Sequence, residues 1–178
     1  ATWGMQGANS LCHIMKIDPV KRETLAHMSW AGFLPTWFSD ARKRGAPNGL
    51  GIRQMKVLED NSLAVTGGAG TGLIQTPGAF WTDPETGDKY GGDYVAVFRP
   101  DLSNLEFSSY LPGCSGASLG RCKDGLVVVS ASRGGDGRTP PTPSPTVNAI
   151  QPQHAGGTDA HILVMELPPI GAGAHERW

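Results

Sequence analysis

The chain has 178 residues, which excludes a multidomain enzyme, since one hydrophobic core usually needs about 100 to 200 residues. Its 25 glycines and 14 prolines are close to twice the average share of these residues, which indicates a chain rich in turns. Lys and Arg number 15 against 16 Asp and Glu, and neither sign forms a long block, so binding to nucleic acid through bulk charge is excluded. No window approaches the roughly 18 consecutive apolar residues of a membrane span, and we expect none.

Short stretches of apolar or alternating residues predict a chain that is almost entirely β. Only residues 38–44 have a helical pattern, and Pro35, Gly45 and Pro47 bound it closely. In chain order, the predicted strands lie at residues 10–17, 24–30, 51–58, 62–66, 93–99, 105–111, 125–132 and 160–167.

Two of these stretches are apolar on both faces. Residues 126–129 and 162–165 contain no polar side chain, which is typical of strands in a sheet that is covered on both sides. Without helices, the cover must come from other sheets. The sequence therefore predicts sheets stacked face to face, either in a sandwich or as the blades of a propeller.

Internal repeats favour the propeller, because a propeller is built from similar units in succession. The corresponding pairs are residues 60–66 with 124–130, 76–80 with 146–150, 91–94 with 156–160, and 17–30 with 98–110. The shift between copies varies because insertions fall in loops, among them the Pro-rich stretch 139–146.

The segments of each repeat follow one another in a fixed order. The segments lie at residues 61–67, 76–80, 91–100 and 105–113, and again at 125–131, 146–150 and 156–167. Their order resembles the SBBP-type bacterial β-propeller repeat, which reads approximately G-N-x-Y-V-T-G, T-P-G-A-F, G-G-x-D-A-F-V-x-K-x-D-P and L-x-Y-S-T-Y-L-G-G. The chain departs from this unit where Asp93 directly follows Gly92, where Cys12 and His13 replace the usual Ala-Phe, and where the last unit lacks its Y-S-T-Y-L strand.

The resemblance implies stacked four-stranded antiparallel sheets, arranged as β-propeller-like blades in one domain. Counting strands gives about two, then four, then three, which is an incomplete propeller of about two to three blades. The implied units are a partial blade at 1–33, a blade at 51–113, a blade at 114–168 and a tail at 169–178. Closed propellers have about four to eight blades, so we expect the chain either to be part of a longer propeller or to form an open stack whose end faces are covered by a partner or by its own long loops.

The resemblance also implies a secreted or periplasmic bacterial protein whose propeller is a binding scaffold. We therefore predict a non-enzymatic interaction module, an accessory or structural subunit that docks on a larger extracytoplasmic or membrane-bound complex, with an electron-transfer assembly as one candidate. Other protein subunits are the predicted partners, and no cofactor is predicted. Tryptophans outside strands or at the chain ends are candidate partner contacts. These are Trp3, Trp37, Trp81 and Trp178.

A secreted hydrolase is an alternative interpretation. The segments around His27 and Ser115 are similar to the histidine and serine segments of trypsin-like serine proteases, in the same chain order, with Glu59, Asp60 or Asp93 as candidate orienting acids. The serine segment lacks the acidic residue and the second glycine that shape the oxyanion hole. We therefore predict no catalytic residue and keep the hydrolase as an alternative.

Metal binding is weighed at two places. Cys12, His13 and Met15 are soft donors suited to copper or zinc, but strand alternation places Cys12 on the face opposite to His13 and Met15. Residues 83–88 offer three carboxylates without the spacing of a calcium loop. We predict no metal site, while a glycan- or calcium-binding surface module stays open as a third interpretation.

Cysteine spacing suggests one candidate disulfide. Cys114 and Cys122 flank a short stretch rich in Gly and Ser, and a disulfide between them would staple that stretch as a loop. The bridge requires an oxidising compartment, and a reduced pair is the alternative.

Overall fold

The computed structural model describes residues 2–3, 12–30, 50–69, 73–79, 92–111, 114–122, 125–133 and 158–166. These residues form ten β-strands, and none of them is helical. The strands are β1 (Thr2–Trp3), β2 (Cys12–Asp18), β3 (Glu23–Trp30), β4 (Gln54–Val57), β5 (Leu63–Ala69), β6 (Gly92–Phe98), β7 (Leu105–Leu111), β8 (Cys114–Cys122), β9 (Gly125–Arg133) and β10 (Thr158–Met165). The all-β prediction is confirmed for this part of the chain, and the helical pattern at residues 38–44 lies outside it.

The ten strands form three sheets. In the first sheet, with the order β1-β3-β2, β2 and β3 are antiparallel and β1 runs parallel to β3. The middle sheet is an antiparallel meander in the order β4-β5-β6-β7, as expected for residues 51–113. The third sheet, with the order β10-β9-β8, is antiparallel and has three strands. Among the described residues, these sheets close into neither a barrel nor a propeller.

The middle sheet is buried on both faces because the other two sheets pack against it. Along β6, Tyr94, Ala96 and Phe98 face one way and contact Ile14 and Met28 of the first sheet in a single apolar cluster. The alternating side chains of β6 face the other way, into a second cluster with the third sheet. That second cluster contains Val95 and Val97 together with Leu119, Leu126, Val128 and Met165. Burying each large aliphatic side chain stabilises the fold by about 1.5 to 3 kcal/mol.

Tight hairpin turns lie at one end of the stack, here called the turn end. In the β4–β5 turn, the carboxylate of Asp60 accepts hydrogen bonds from the backbone N–H and the hydroxyl of Ser62, at 3.0 and 2.6 Å. In the β6–β7 turn, Asp101 accepts the same two bonds from Ser103, again at 3.0 and 2.6 Å. Both turns therefore use one local solution, in which a short acidic side chain replaces a backbone acceptor.

The longest links between consecutive strands join strand ends at the opposite end, here called the connection end. The Cys12 thiol at the start of β2 donates to the carbonyl of Leu50 at 3.1 Å. Further along β2, the Lys16 ammonium reaches the carbonyl of Pro100 in the β6–β7 turn, at 3.2 Å. These contacts place corresponding ends of the two stacked sheets side by side. The β3–β4 and β5–β6 links therefore start at the same end of the stack. The β9–β10 link also leaves there, because Asp93 at the start of β6 bonds Ala117 near the start of β8.

Candidate interaction surfaces

The outer face of the third sheet exposes branched aliphatic side chains. Ile162 and Val164 of β10 are 66 % and 64 % exposed, whereas the alternating Leu163 and Met165 pack toward the middle sheet. The backbone register partners of Ile162 and Val164 on β9 are Val129 and Val127. An apolar strip of this kind on a sheet marks a surface suited to contact with another protein.

The outer face of the first sheet is also partly apolar. Ile14 and Met28 face the middle sheet, so the residues that alternate with them face outward. Among these, Met15 and Leu25 are 53 % and 54 % exposed, and His13 and His27 are exposed as well. Both outermost faces of the stack therefore present apolar side chains to solvent.

The two histidines of this outer face lie side by side. The rings of His13 and His27 are stacked, with centroids 5.7 Å apart and an interplanar angle of 28°. Nδ1 of His13 lies 3.0 Å from the hydroxyl of Ser29, its direct cross-strand partner. Met15 is the direct cross-strand partner of His27. Two imidazoles and one thioether thus share a small area of the exposed sheet.

Side chains of the middle sheet hold the third sheet in place. The buried carboxylate of Asp93 accepts the backbone N–H of Ala117 at 2.7 Å and the Arg53 guanidinium at 2.9 Å. Similarly, the side-chain oxygen of Gln54 accepts the N–H of Leu119 at 2.5 Å. Within the described residues, β8 is an edge strand that pairs only with β9. The two side chains thus accept hydrogen bonds from backbone N–H groups of β8 that β9 does not bind. Asp93 is therefore a structural acceptor.

A second polar group is buried between the first and middle sheets. The hydroxyl of Tyr94 donates to the carbonyl of Gly51 at 3.1 Å, close to the thiol of Cys12. Burial raises the pKa of Tyr94 far above its usual value, and the nearby Cys12 and Asp93 add to this effect while Arg53 opposes it. Burial likewise raises the pKa of the Cys12 thiol, against a smaller lowering by a hydrogen bond from the backbone of Ile52. Both groups are neutral at physiological pH, so neither is an activated nucleophile.

The segment Thr76–Ala79 covers an edge of the middle sheet. Thr76 donates its N–H to the carbonyl of Ser108 in β7 at 3.3 Å, and its hydroxyl accepts the N–H of Ser108 at 2.9 Å. The N–H of Ala79 then closes a turn on the carbonyl of Thr76 at 3.1 Å. Gly78 has a φ of 86°, and Pro77 precedes it, as a type II turn requires. The segment thereby blunts an edge strand.

The structure does not bring His27 and Ser115 together. His27 lies on the outer face of the first sheet, whereas Ser115 lies in β8 of the third sheet. The middle sheet separates them, and since stacked sheets are about 10 Å apart, the two residues are on the order of 20 Å or more apart. Asp60 binds its own turn and Asp93 binds Arg53 and Ala117. The described fold thus places the two residues of the hydrolase interpretation in different sheets.

The two cysteines of the candidate disulfide lie at opposite ends of one strand. Cys114 and Cys122 are the first and last residues of β8, and their cross-strand partners on β9 are Ser132 and Gly125. Those partners are seven strand steps apart, so at about 3.3 Å per step the two ends of β8 lie roughly 20 Å apart, whereas the Cα atoms of a disulfide lie at most about 7 Å apart. The stretch between them, interpreted as a stapled loop, is a strand.

The remaining predicted residues are placed as follows. Trp3 belongs to β1 and lies in register with Trp30 at the connection end. Trp37, Trp81 and Trp178, and the candidate calcium stretch at residues 83–88, lie outside the described residues. Cys12 packs with Ile14 against the core while His13 and Met15 lie on the opposite face, as predicted. In the part of the chain that the structure describes, no group of three His, Cys, Asp or Glu side chains is arranged to hold a metal ion.

Sequence reasoning missed the pairing of His13 with His27. The alternation of β2 correctly places His13 beside Met15, but the position of His27 depends on the register between β2 and β3. The irregularity between Lys16 and Ile17 shifts that register, and a single sequence carries no signal for its position. The apolar run at residues 162–165 predicted a strand covered on both faces, whereas the structure leaves Ile162 and Val164 exposed on one face.

Neither a protein-family model, nor a curated protein, nor a solved structure matches this chain. No helix in the described ranges is both long and apolar enough to cross a membrane.

Proposed function

We propose that this chain is a non-enzymatic interaction scaffold that docks on other protein subunits through the outer face of its third sheet. The observation that carries the proposal is the exposure of Ile162 and Val164 on the third sheet. In the middle sheet, the equivalent alternating positions of β6 are fully covered on both faces. A partner that covers these aliphatic side chains would gain about 25 cal/mol of binding free energy for each Å² of apolar surface removed from water.

The expected occupant is an apolar sheet face of another protein subunit. Among the described residues, side chains of the first and third sheets pack against the two faces of the middle sheet. A flat, twisted face with β-branched side chains is complementary to a second face of the same kind, at a spacing of about 10 Å. The strip at Ile162 and Val164 continues this packing direction outward.

We interpret the three sheets as successive blades of an incomplete SBBP-type propeller, which belongs outside the cytoplasm. The antiparallel meander β4-β5-β6-β7 supports this interpretation because it has the strand order of a blade. The turn formed by Thr76 to Ala79 covers the edge strand β7. This structural role is one that the T-P-G segment of a repeat unit would serve in every blade. An accessory or structural subunit of an extracytoplasmic or membrane-bound complex fits this architecture.

Native mass spectrometry of the tagged chain, purified from its own source, tests the proposal. We expect a native complex whose mass exceeds that of the tagged chain that denaturation releases from it. The double variant Ile162→Asp, Val164→Asp should bind its companion subunits about tenfold more weakly or worse, because a loss of 1.4 kcal/mol of binding free energy raises the dissociation constant tenfold. A native mass equal to that of one fully folded chain would contradict the proposal.

A matched control is available on the middle sheet. Met55 and Val57 of β4 are exposed to a similar extent, at 52 % and 59 %, but lie away from the outer face of the third sheet. The double variant Met55→Asp, Val57→Asp makes the same chemical change and should retain the companions. Equal loss in both double variants would indicate general destabilisation and would remove the support for a docking face at β10.

A further inference from the structure

The outer face of the first sheet holds a compact set of soft donors that the proposed scaffold function does not use. His13 and His27 stack with centroids 5.7 Å apart, and Met15 lies directly across from His27. Direct antiparallel partners have Cβ atoms about 4.5 to 5.5 Å apart, so the thioether of Met15 can reach the His27 ring. All three side chains are exposed, and ligands approach them from solvent.

Ser29 orients one of the two rings. The Ser29 hydroxyl lies 3.0 Å from Nδ1 of His13, and the two residues are direct cross-strand partners. Engagement of Nδ1 leaves Nε2 of His13 as the outward nitrogen. A hydrogen bond to the second nitrogen is the arrangement that fixes the ring orientation of metal-binding histidines.

We propose that His13, His27 and Met15 form a surface site for a soft monovalent metal ion, for which Cu(I) is the probe. Imidazole and thioether ligands together favour Cu(I) over hard cations, which prefer oxygen. A neutral donor set also suits a single positive charge better than a doubly charged ion. The proposal rests on this geometry alone and holds whether or not the third sheet docks a partner.

The distances permit one shared ion after a small side-chain movement. Bonds between a metal and imidazole nitrogen are about 2.0 Å long, so two nitrogens on one ion lie at most about 4 Å apart. Each ring centroid lies behind its coordinating nitrogen, so a centroid separation of 5.7 Å is compatible with this limit, and the stacked rings need only rotate until one nitrogen of each points at the ion. Both rings are exposed, and rotation about their χ2 torsions is broad and soft.

Anaerobic titration with Cu(I) against a chromogenic chelator tests the site, with NMR of the Met15 methyl group and the histidine rings as the local readout. We expect one ion per chain, with shifts at Met15, His13 and His27. The variants His27→Gln and Met15→Leu should each weaken Cu(I) binding by about tenfold or more. Both positions are exposed, so unchanged circular dichroism of the variants is expected.

Two controls separate this site from other ligands in the chain. His175→Gln removes a histidine elsewhere in the sequence and should leave Cu(I) affinity unchanged. A background with Cys12, Cys114 and Cys122 replaced by Ser removes thiolate competition, and the site should bind one Cu(I) there too. Loss of binding in that background, or an unshifted Met15 methyl in the wild type, would overturn the proposal.

Discussion

Asp93 shows how one side chain links two sheets. Asp93 is 7 % exposed. Its carboxylate accepts hydrogen bonds from a backbone N–H of β8 and from the side chain of Arg53, the residue that directly precedes β4. The two donors differ in environment, because Ala117 is fully buried whereas the Arg53 side chain is 46 % exposed. A buried donor that loses its acceptor costs more than an exposed charge that regains water.

This difference predicts an order of effects for two variants. Asp93→Ala leaves the N–H of Ala117 without its acceptor and should lower the free energy of unfolding by about 2 to 3 kcal/mol. Arg53→Gln keeps the bond between Asp93 and Ala117 and should cost less than about 1 kcal/mol. Urea denaturation monitored by circular dichroism measures both. Equal losses, or a larger loss for Arg53→Gln, would show that the ion pair and not the bond to β8 carries the stability.

At the scale of the elements, the turn that covers β7 depends on one glycine. Gly78 has a φ of 86°, and a Cβ added there would meet nothing within 4 Å. Gly78→Ala should therefore destabilise the protein by about 1 to 2 kcal/mol through backbone strain alone. Gly68 of β5 has equally open space without a positive φ, so Gly68→Ala is the matched control and should be neutral or slightly stabilising. Thermal melting compares them, and equal melting temperatures would contradict the assignment of strain to Gly78.

The strands that sequence reasoning found and missed have a common explanation. The strands β2 to β7, β9 and β10 overlap predicted stretches because their apolar residues recur at a period of two or fill both faces. In contrast, β8 reads Cys-Ser-Gly-Ala-Ser-Leu-Gly-Arg-Cys, with few residues that favour strands. Its extended conformation comes from pairing with β9 and from the acceptors Asp93 and Gln54. A tertiary cause of this kind leaves no local pattern.

The candidate site divides in the same way. The apolar character of residues 162–165 was sufficient to predict a strand that needs cover, and the structure adds that Ile162 and Val164 are the exposed half. The stacked rings of His13 and His27 were not predictable, because cross-strand neighbours depend on register and the β2–β3 pair carries a shift at Lys16. The periodicity of a strand thus predicts which residues share a face, whereas the neighbours of a residue on the adjacent strand can be known only from the folded structure.

At the scale of the whole molecule, the two outer sheets are held unequally. Within the described residues, the first sheet contributes only Ile14 and Met28 as fully buried apolar side chains. The third sheet contributes a larger set, namely Ala117, Leu119, Leu126, Val128 and Met165, in addition to its bonds from Asp93 and Gln54. Local opening follows the least buried contact area, so the first sheet should open before the rest of the stack.

Hydrogen exchange of the backbone amides measures this order. We expect β5 and β6 to exchange slowest, β8 and β9 next, and β2 and β3 fastest. Met28→Ala removes a fully buried side chain worth about 2 to 5 kcal/mol. Because Met28 packs between the first and middle sheets and is not part of the cluster that holds the third sheet, the variant should speed exchange in β2 and β3 without changing β9. Met165→Ala makes the same change in the third sheet and should speed exchange in β9 and β10 instead. If either variant accelerates all sheets equally, the stack unfolds as one cooperative unit, and a loosely held first sheet is contradicted.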